Sequence, residues 1–469
     1  MAMPPYAEIS ERLSDPVEPA AFPKAILRFR NRRWDEAVGL SDLSDTTWTE
    51  QFTQFAPLPD NLSGPRAMRY HGHQFGVYNP DLGDGRGFLF AQLKAMDGRW
   101  LDLGTKGSGQ TPWSRQGDGR LTLKGGVREI LASSYLEALG VNTSKAFSLI
   151  ETGESLYRGD EPSPTRSSVL VRLSHSHIRF GTFERLGFHK DAQTLGDLTD
   201  HVIRHYYPHL NDIASKDRVP ALLQAVSEAT GRMIGQWMGT GFVHGVMNTD
   251  NFNITGETFD FGPFRFLPKS DPNFTAAYFD HQGLYRFGRQ PVQGLWALQK
   301  LAGALSFLAD SDDLIEALGS YEAAYQRSFV RHTFHLLGLI ETEQDADLEF
   351  AANLFGWMTE SDVPWPSFFF DWYGGTLSEG RAMRAPHADL YRQNAFEPVR
   401  AGLAARTPDS APALDHAYFQ RSGPASLLID AIEQLWDPIA EKDDWSAFEA
   451  KLAEIEMARL AYLTVNRAE

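Results

Sequence analysis

The chain has 469 residues, 42% hydrophobic and 22% charged, with a formal net charge of −17 and no cysteine. That length predicts more than one packed unit with a large apolar interior and no long disordered tract, while the excess of acid without a Lys/Arg run argues against a nucleic-acid or anionic-membrane surface. The missing cysteines exclude disulfides, thiolate metal sites and a cysteine nucleophile, so any metal must sit on oxygen or imidazole, a donor set that suits Mg²⁺ or Mn²⁺.

The opening "MAMPPYAEIS" has neither a basic n-region nor an apolar h-segment. The most apolar stretch, 295–309, is broken by Gln299 and Lys300. Together these predict a protein that is neither exported nor membrane-embedded. Residues 1–66 are expected to form an N-terminal extension. From Ala67 to about Leu173 the chain reads as strands with one helix. "GFLFAQL" (87–93) and "RWLDLGTK" (99–106) are strand-like, with a tight turn at Asp97-Gly98 between them. Over 127–140, Ile130, Leu131, Tyr135, Leu136 and Leu139 fall at helical spacing, with Gly140 as the stop. "AFSLIETG" (146–153) and "SVLVRLS" (168–174) predict further strands.

Beyond about residue 190 the pattern turns helical, over 194–207, 220–240, 292–309, 313–337 and 345–358. The short polar segment 244–262 interrupts this region as a loop with small strands. The aromatic-rich "VPWPSFFFDWYGG" (363–375) reads as a packed inter-helical loop, because aromatics mostly serve core burial. The final segment, 401–469, carries helical patterns such as "ASLLIDAIEQLW" and no assigned chemistry. A β-rich unit over 67–190 followed by a helical unit over 191–400 is an α+β arrangement.

Several residues along this path can carry chemistry. "DLGDGRG" (81–87) sets Gly83, Gly85 and Arg86 ahead of a strand. Glycines let backbone N–H groups approach phosphate oxygens and the arginine adds charged donors, although a glycine-rich hairpin turn explains the same residues. Lys106 lies at the end of the next strand and Glu129 near the start of the helix. That order is the one in which a protein kinase places its phosphate-binding lysine and the glutamate that orients it. Asp118 and Gly119 lie in a polar loop between them and could contact a nucleotide or form a plain exposed turn. Arg172 and Arg179, in "VRLSHSHIRF", read as phosphate partners or as paired arginines.

The strongest local signal is "HGVMNTDN" (244–251) followed by "FDFG" (259–262). A kinase writes its catalytic loop H-R-D-x-x-x-x-N and its metal-binding turn D-F-G. Here His244, Asn251 and Asp260 keep their places while Val246 occupies the position of the catalytic aspartate. Asn251 and Asp260 supply two oxygen ligands for a phosphate-bound divalent ion. Asp250 is the only carboxylate inside the first motif, hence the replacement base, with loop capping as the alternative. His244 is expected to hold the loop's shape. His71 and His73 form an H-x-H pair without a matching carboxylate motif and are expected to be structural.

The runs "YHGHQFGVYNPDLGDGRG", "WLDLGTKGSGQTPWSRQGDGR", "GGVREILASSYLEALGV" and "HGVMNTDN…FDFGPF" strongly resemble the selenoprotein O family, from about Arg69 to Pro291. The resemblance implies a two-lobed, protein-kinase-like fold and the transfer of AMP from ATP to Ser, Thr or Tyr hydroxyls of proteins, with ATP inverted relative to a kinase. It further implies that Gly83, Gly85 and Arg86 form the nucleotide loop and that Lys106 binds phosphate with Glu129 orienting it. Asp118, Gly119, Arg172 and Arg179 would contact the inverted ATP, Asp250 would be the base, and Asn251 and Asp260 would hold Mg²⁺ or Mn²⁺. Protein substrates, a monomer and a cytoplasmic location in a bacterium are the matching expectations. One departure is the absence of the C-terminal cysteine or selenocysteine that many members carry, so regulation through the chain's own thiols is not expected. UMP transfer and a silent nucleotide-binding scaffold are the competing functions.

Overall fold

The computed structural model describes residues 3–159, 161–409 and 414–463. Its main sheet is entirely antiparallel and runs β1 (Ser14–Pro16), β3 (Arg66–Met68), β6 (Leu89–Lys94), β7 (Trp100–Lys106), β10 (Thr165–Ser174), β9 (Lys145–Leu156), β2 (Ile26–Arg30), with β8 (Leu121–Thr122) paired to β10. Both edge strands thus come from the first 66 residues. Two short ribbons complete the β-structure: the hairpin β4 (Gly72–Gln74) with β5 (Val77–Asn79), and β11 (Phe242–Val243) with β12 (Arg265–Phe266). The remaining described chain is mostly helical, so the fold is mixed α and β. None of its helices is long and apolar enough to cross a membrane.

The pleat decides which side chains reach the site. Successive residues on a strand point to opposite faces. Leu101 and Leu103 of β7 and Val169, Val171 and Leu173 of β10 face one apolar cluster with Trp48, Phe52 and Phe90. The Asp45–Gln54 helix, capped by Ser44, seals that face. The intervening residues Asp102, Gly104 and Lys106, with Leu170 and Arg172, therefore share the opposite face, where Arg172 pairs in register with Gly104 and Lys106 with Leu170.

On that second face lies the helix Leu123–Ala138, whose first turn is capped by the Thr122 hydroxyl accepting from the Gly125 N–H. It covers the stretch predicted as 127–140 up to Ala138 and begins four residues earlier. Its back is held by the C-terminal segment: Tyr135 Oη donates to the Ala425 carbonyl at 2.9 Å and Lys124 Nζ to Glu433 at 2.6 Å. The helix Arg218–Thr240 ends at Gly241, where φ of +70° closes the helix in the left-handed region that favours glycine. This turn delivers the chain into β11 and the loop that follows.

One predicted helix, 313–337, is two: Ser311–Leu318 and Ser320–Leu337. Gly319 lies at the break, where a glycine makes continued helix costly relative to alanine. The aromatic segment 363–375 is buried as expected, with Trp365, Phe368 and Trp372 in the core, but it is not a loop: it contains the helix Trp365–Asp371, which tolerates Pro366 because a proline in the first turn removes no intrahelical hydrogen bond.

Candidate functional site

A cavity of about 620 Å³ opens between the sheet's second face and the loop after β11. Gly83, Gly85, Arg86, Lys106, Asp118 and Gly119 line it, as do Arg172, Arg179, Asp250 and Asp260. Seven cationic side chains face four carboxylates on this wall. In a chain of net charge −17, that reversal marks a place built to receive anions.

The deepest cluster is centred on Asp260. Lys106 Nζ donates to Glu129 Oε1 at 2.5 Å and to Asp260 Oδ1 at 2.6 Å, with Arg172 at 3.5 Å and Arg179 at 3.7 Å from the same carboxylate. Burial alone would raise the Asp260 pKa, but Lys106, Arg172 and Arg179 outweigh it and hold the carboxyl well below the usual range. Glu129 does not reach the cavity wall. It is 3% exposed behind Lys106, where a buried ammonium needs an anion to stay charged and oriented. Asp260 itself adopts φ of +67°, uncommon for a residue with a Cβ, and its carbonyl accepts from the Gly262 N–H at 3.0 Å. That tight turn aims the carboxylate at the cations.

Asp250 sits in the short 3₁₀ turn Thr249–Asn251. Its Oδ1 is buried and has no hydrogen-bond partner, while its carbonyl accepts from Arg179 Nη1 at 2.9 Å. Burial pushes its pKa up to about 7, with Arg179 pulling the other way and Asp260 and Glu184 adding to the rise. The β4–β5 hairpin clamps the turn. The His73 N–H donates to Thr249 Oγ1 at 2.8 Å and the Phe75 N–H to Asn248 Oδ1 at 3.2 Å. A Cβ on Gly72 would lie 3.0 Å from Asp250 Oδ1, so the glycine of "YHGHQFG" lets the hairpin close over the turn.

Asn251 does not line the cavity. Its Nδ2 donates to the Val246 carbonyl at 2.9 Å, which leaves Oδ1 as the atom able to ligate a cation. Val246 therefore braces the loop through its backbone. His244 Nε2 meets the Phe259 carbonyl at 3.1 Å and its ring stacks on Trp237, so it joins the two motif segments. His71 Nδ1 meets Tyr78 Oη at 2.6 Å and His73 Nδ1 meets Glu184 Oε2 at 2.5 Å, contacts that tie the hairpin to its neighbours.

The glycines of the 81–87 loop also have a packing role that composition does not show. A Cβ on Gly83 would lie 2.4 Å from the Trp113 ring, and one on Gly85 would lie 2.9 Å from the Trp113 carbonyl. These glycines are needed for the loop to pack against Trp113 and Ser114, whatever else they contact. Arg86 is exposed. Asp118 is exposed too and pairs with Arg158 at 2.8 Å, and Gly119 turns at φ of +70° where a Cβ would strike the Gly109 backbone.

Sequence reasoning missed the groups that hold the arginines. Arg179 Nη2 reaches Asp84 Oδ1 at 3.4 Å, and its guanidinium lies over Tyr70, 4.5 Å from the ring centroid, and over Phe259, 4.8 Å away. Arg172 Nε donates to His177 Nε2 at 3.3 Å, and the His177 N–H donates to Asp102 Oδ2 at 2.7 Å. Gly104 makes room for that ring, since a Cβ there would fall 2.2 Å from Nε2. The strand alternation of Asp102, Gly104 and Lys106 was the available signal for a shared face, but no local pattern ties His177 to it.

Comparison with known proteins gives the family. The family described as "Protein adenylyltransferase SelO" matches residues 2–456. The chain is 44% identical over 466 residues to the "Protein nucleotidyltransferase YdiU" of Synechocystis sp., covering 95% of each chain. It is 42% identical over 478 residues to the protein of the same description from Synechococcus elongatus, covering 96% of this chain and 93% of the relative. A Vibrio cholerae protein so described is 41% identical over 363 residues, 77% of this chain and 73% of its own. With the family model matching nearly the whole chain and relatives covered over almost their full length, the protein is a nucleotidyltransferase and belongs to the SelO protein adenylyltransferase family.

Proposed function

We propose that this enzyme transfers AMP from ATP to Ser, Thr or Tyr hydroxyls of other proteins, with ATP turned around relative to a kinase so that its α-phosphate faces Asp250. One arrangement carries this reading. A buried, unpartnered Asp250 oxygen shares a cavity with a carboxylate around which Lys106, Arg172 and Arg179 converge. A kinase would need its base at position 246, where an isopropyl group stands. In the same proposal, 67–190 and 191–400 act as two lobes about the cavity, with 1–66 and 401–469 as flanking segments that brace them.

The donor set fits a divalent cation, because Asp260 offers an ionised carboxylate and Asn251 an amide oxygen. Mg²⁺ or Mn²⁺ held there would supply positive charge to the phosphates. Lys106, kept in place by Glu129, together with Arg172 and Arg179 neutralises the triphosphate, and Arg86, Asp118 and Gly119 form the outer wall of its site. Asp250 takes the proton of the acceptor hydroxyl as that oxygen bonds to the α-phosphorus. The bond from the α-phosphorus to the bridging oxygen breaks and pyrophosphate leaves.

The test is incubation with an acceptor protein and ATP labelled at the α or the γ phosphorus. Covalent α label without γ label is the expected result. Label from the γ position alone overturns the proposal in favour of phosphorylation, and ATP binding with no covalent label points to a scaffold. Stronger labelling from UTP than from ATP would make UMP the transferred group.

A further inference from the structure

Outside the cavity, one cluster joins the N-terminal segment to the helix Ala192–Tyr206. His201 and His205 lie four residues apart on one face of that helix, and Glu8, at the end of the Pro5–Glu8 turn, reaches across to both. One ligand atom from each of the three lies within 4.8 Å of the others. From this geometry we propose a structural divalent-metal site on His201, His205 and Glu8, of the zinc class and separate from the nucleotide cavity.

The two distances from Glu8 are those of a coordination shell. Glu8 Oε2 lies 3.2 Å from His205 Nε2 and 3.5 Å from His201 Nδ1. Ligand atoms about 2.0–2.1 Å from a tetrahedral ion are about 3.3 Å apart. The 3.5 Å contact is too long for a good hydrogen bond. His201 is 1% exposed and neither of its ring nitrogens has a hydrogen-bond partner. A buried imidazole with neither nitrogen bonded is costly, and a metal bond would relieve that cost at one of them. Two imidazoles and one carboxylate form a donor set that Zn²⁺ takes readily, whereas Mg²⁺ favours all-oxygen sites. Glu8 is 43% exposed on its side chain, so a fourth position is open to water. Arg204 Nη1 also contacts Glu8 Oε2, at 3.0 Å, from a side chain that is 57% exposed, an ion pair that solvent screens.

The site would fasten a segment that supports the cavity from behind. The Tyr6 N–H, two residues from Glu8, donates to Gln92 Oε1 at 2.7 Å, and Gln92 Nε2 donates to Asp102 Oδ1 at 2.5 Å. Farther along, Asp15 accepts from Trp113 Nε1 at 3.0 Å, beneath the glycine loop. A metal at Glu8 would thus pin the start of the chain to the helical region while these contacts hold it to the sheet.

The experiment titrates Zn²⁺ into the chelator-treated full chain by calorimetry and follows Co²⁺ substitution by visible absorption. One ion per chain with a tetrahedral Co²⁺ spectrum is expected, retained in Asp260→Ala, which lacks a cavity carboxylate. Glu8→Gln, a change at an exposed side chain, and His205→Ala should each weaken binding about tenfold or more and abolish the Zn²⁺-dependent rise in Tm. Absence of binding to the wild-type chain, or undiminished binding in both variants, overturns the proposal.

Discussion

The turn Thr249–Asn251 and the turn at Asp260–Gly262 each present a carboxylate to the same cavity, ten residues apart, and burial acts on both in the same sense. They end in opposite states. Asp250 faces mainly Arg179, which is engaged through the Asp250 carbonyl, and its pKa rises to about 7. Asp260 faces Lys106, Arg172 and Arg179 together and is held ionised. Desolvation sets the starting point for a buried acid, and the number of cations aimed at the carboxylate itself decides the outcome. One cavity can therefore hold a permanent anion suited to a metal and a second acid suited to moving a proton.

The largest expected effect comes from removing the permanent anion. Asp260→Ala should reduce transfer by about 10⁴-fold or more, or ~5 kcal/mol in the barrier, measured by α-label incorporation with folding checked by circular dichroism. Survival of activity would sink the ligand assignment. Asp250→Asn keeps the shape and removes the proton acceptor, so kcat should fall by about 10²–10⁴-fold while ATP affinity changes little. A matching loss of ATP affinity would instead make Asp250 a binding group. Gly72→Ala leaves both carboxylates in place but moves a methyl to 3.0 Å from Asp250 Oδ1 and 3.2 Å from Thr249 Oγ1. With a shift of a few tenths of an ångström required, a loss of about tenfold in kcat is expected at nearly unchanged Tm. An unaltered kcat would show that the hairpin does not position the turn.

The smallest effect tests desolvation away from the site. His332 and His335, on the helix Ser320–Leu337, are both pushed down by burial, His335 to about 4. The unfolded chain binds their protons near pH 6.5, so between about 4 and 6.5 it holds more protons than the folded protein. Stability is therefore fully present above pH 6.5 and falls as the pH drops through that window, by at most about 2 kcal/mol for His335 at pH 5. Urea midpoints at pH 7 and pH 5 would read this, and His335→Met should flatten the difference. An unchanged difference in that variant would assign the acid sensitivity to other groups.

Much of the site was legible because its parts are local. A strand with Lys106 at its end, a helix with Glu129 in its second turn and two motif fragments around Asn251 and Asp260 each have a short-range pattern, and the antiparallel order of the sheet converts strand alternation into a shared face. The break at Gly319 and the packing role of Gly83 and Gly85 were less visible. Both depend on what lies opposite, a neighbour that periodicity does not name.

By itself the sequence determined the absence of thiol chemistry, the acidic balance, the order of the β-rich and helical regions, and the kinase-like fragments with valine in the base position, because these are properties of residue type and near-neighbour spacing. Only the tertiary structure decided that Asp250 carries an unpartnered buried oxygen, that three cations converge on Asp260, that His177 holds Arg172, and that Glu8 meets His201 and His205. Each of those depends on groups brought together from distant parts of the chain. Their protonation and pairing follow from the local desolvation and charge that packing creates, which no linear pattern records.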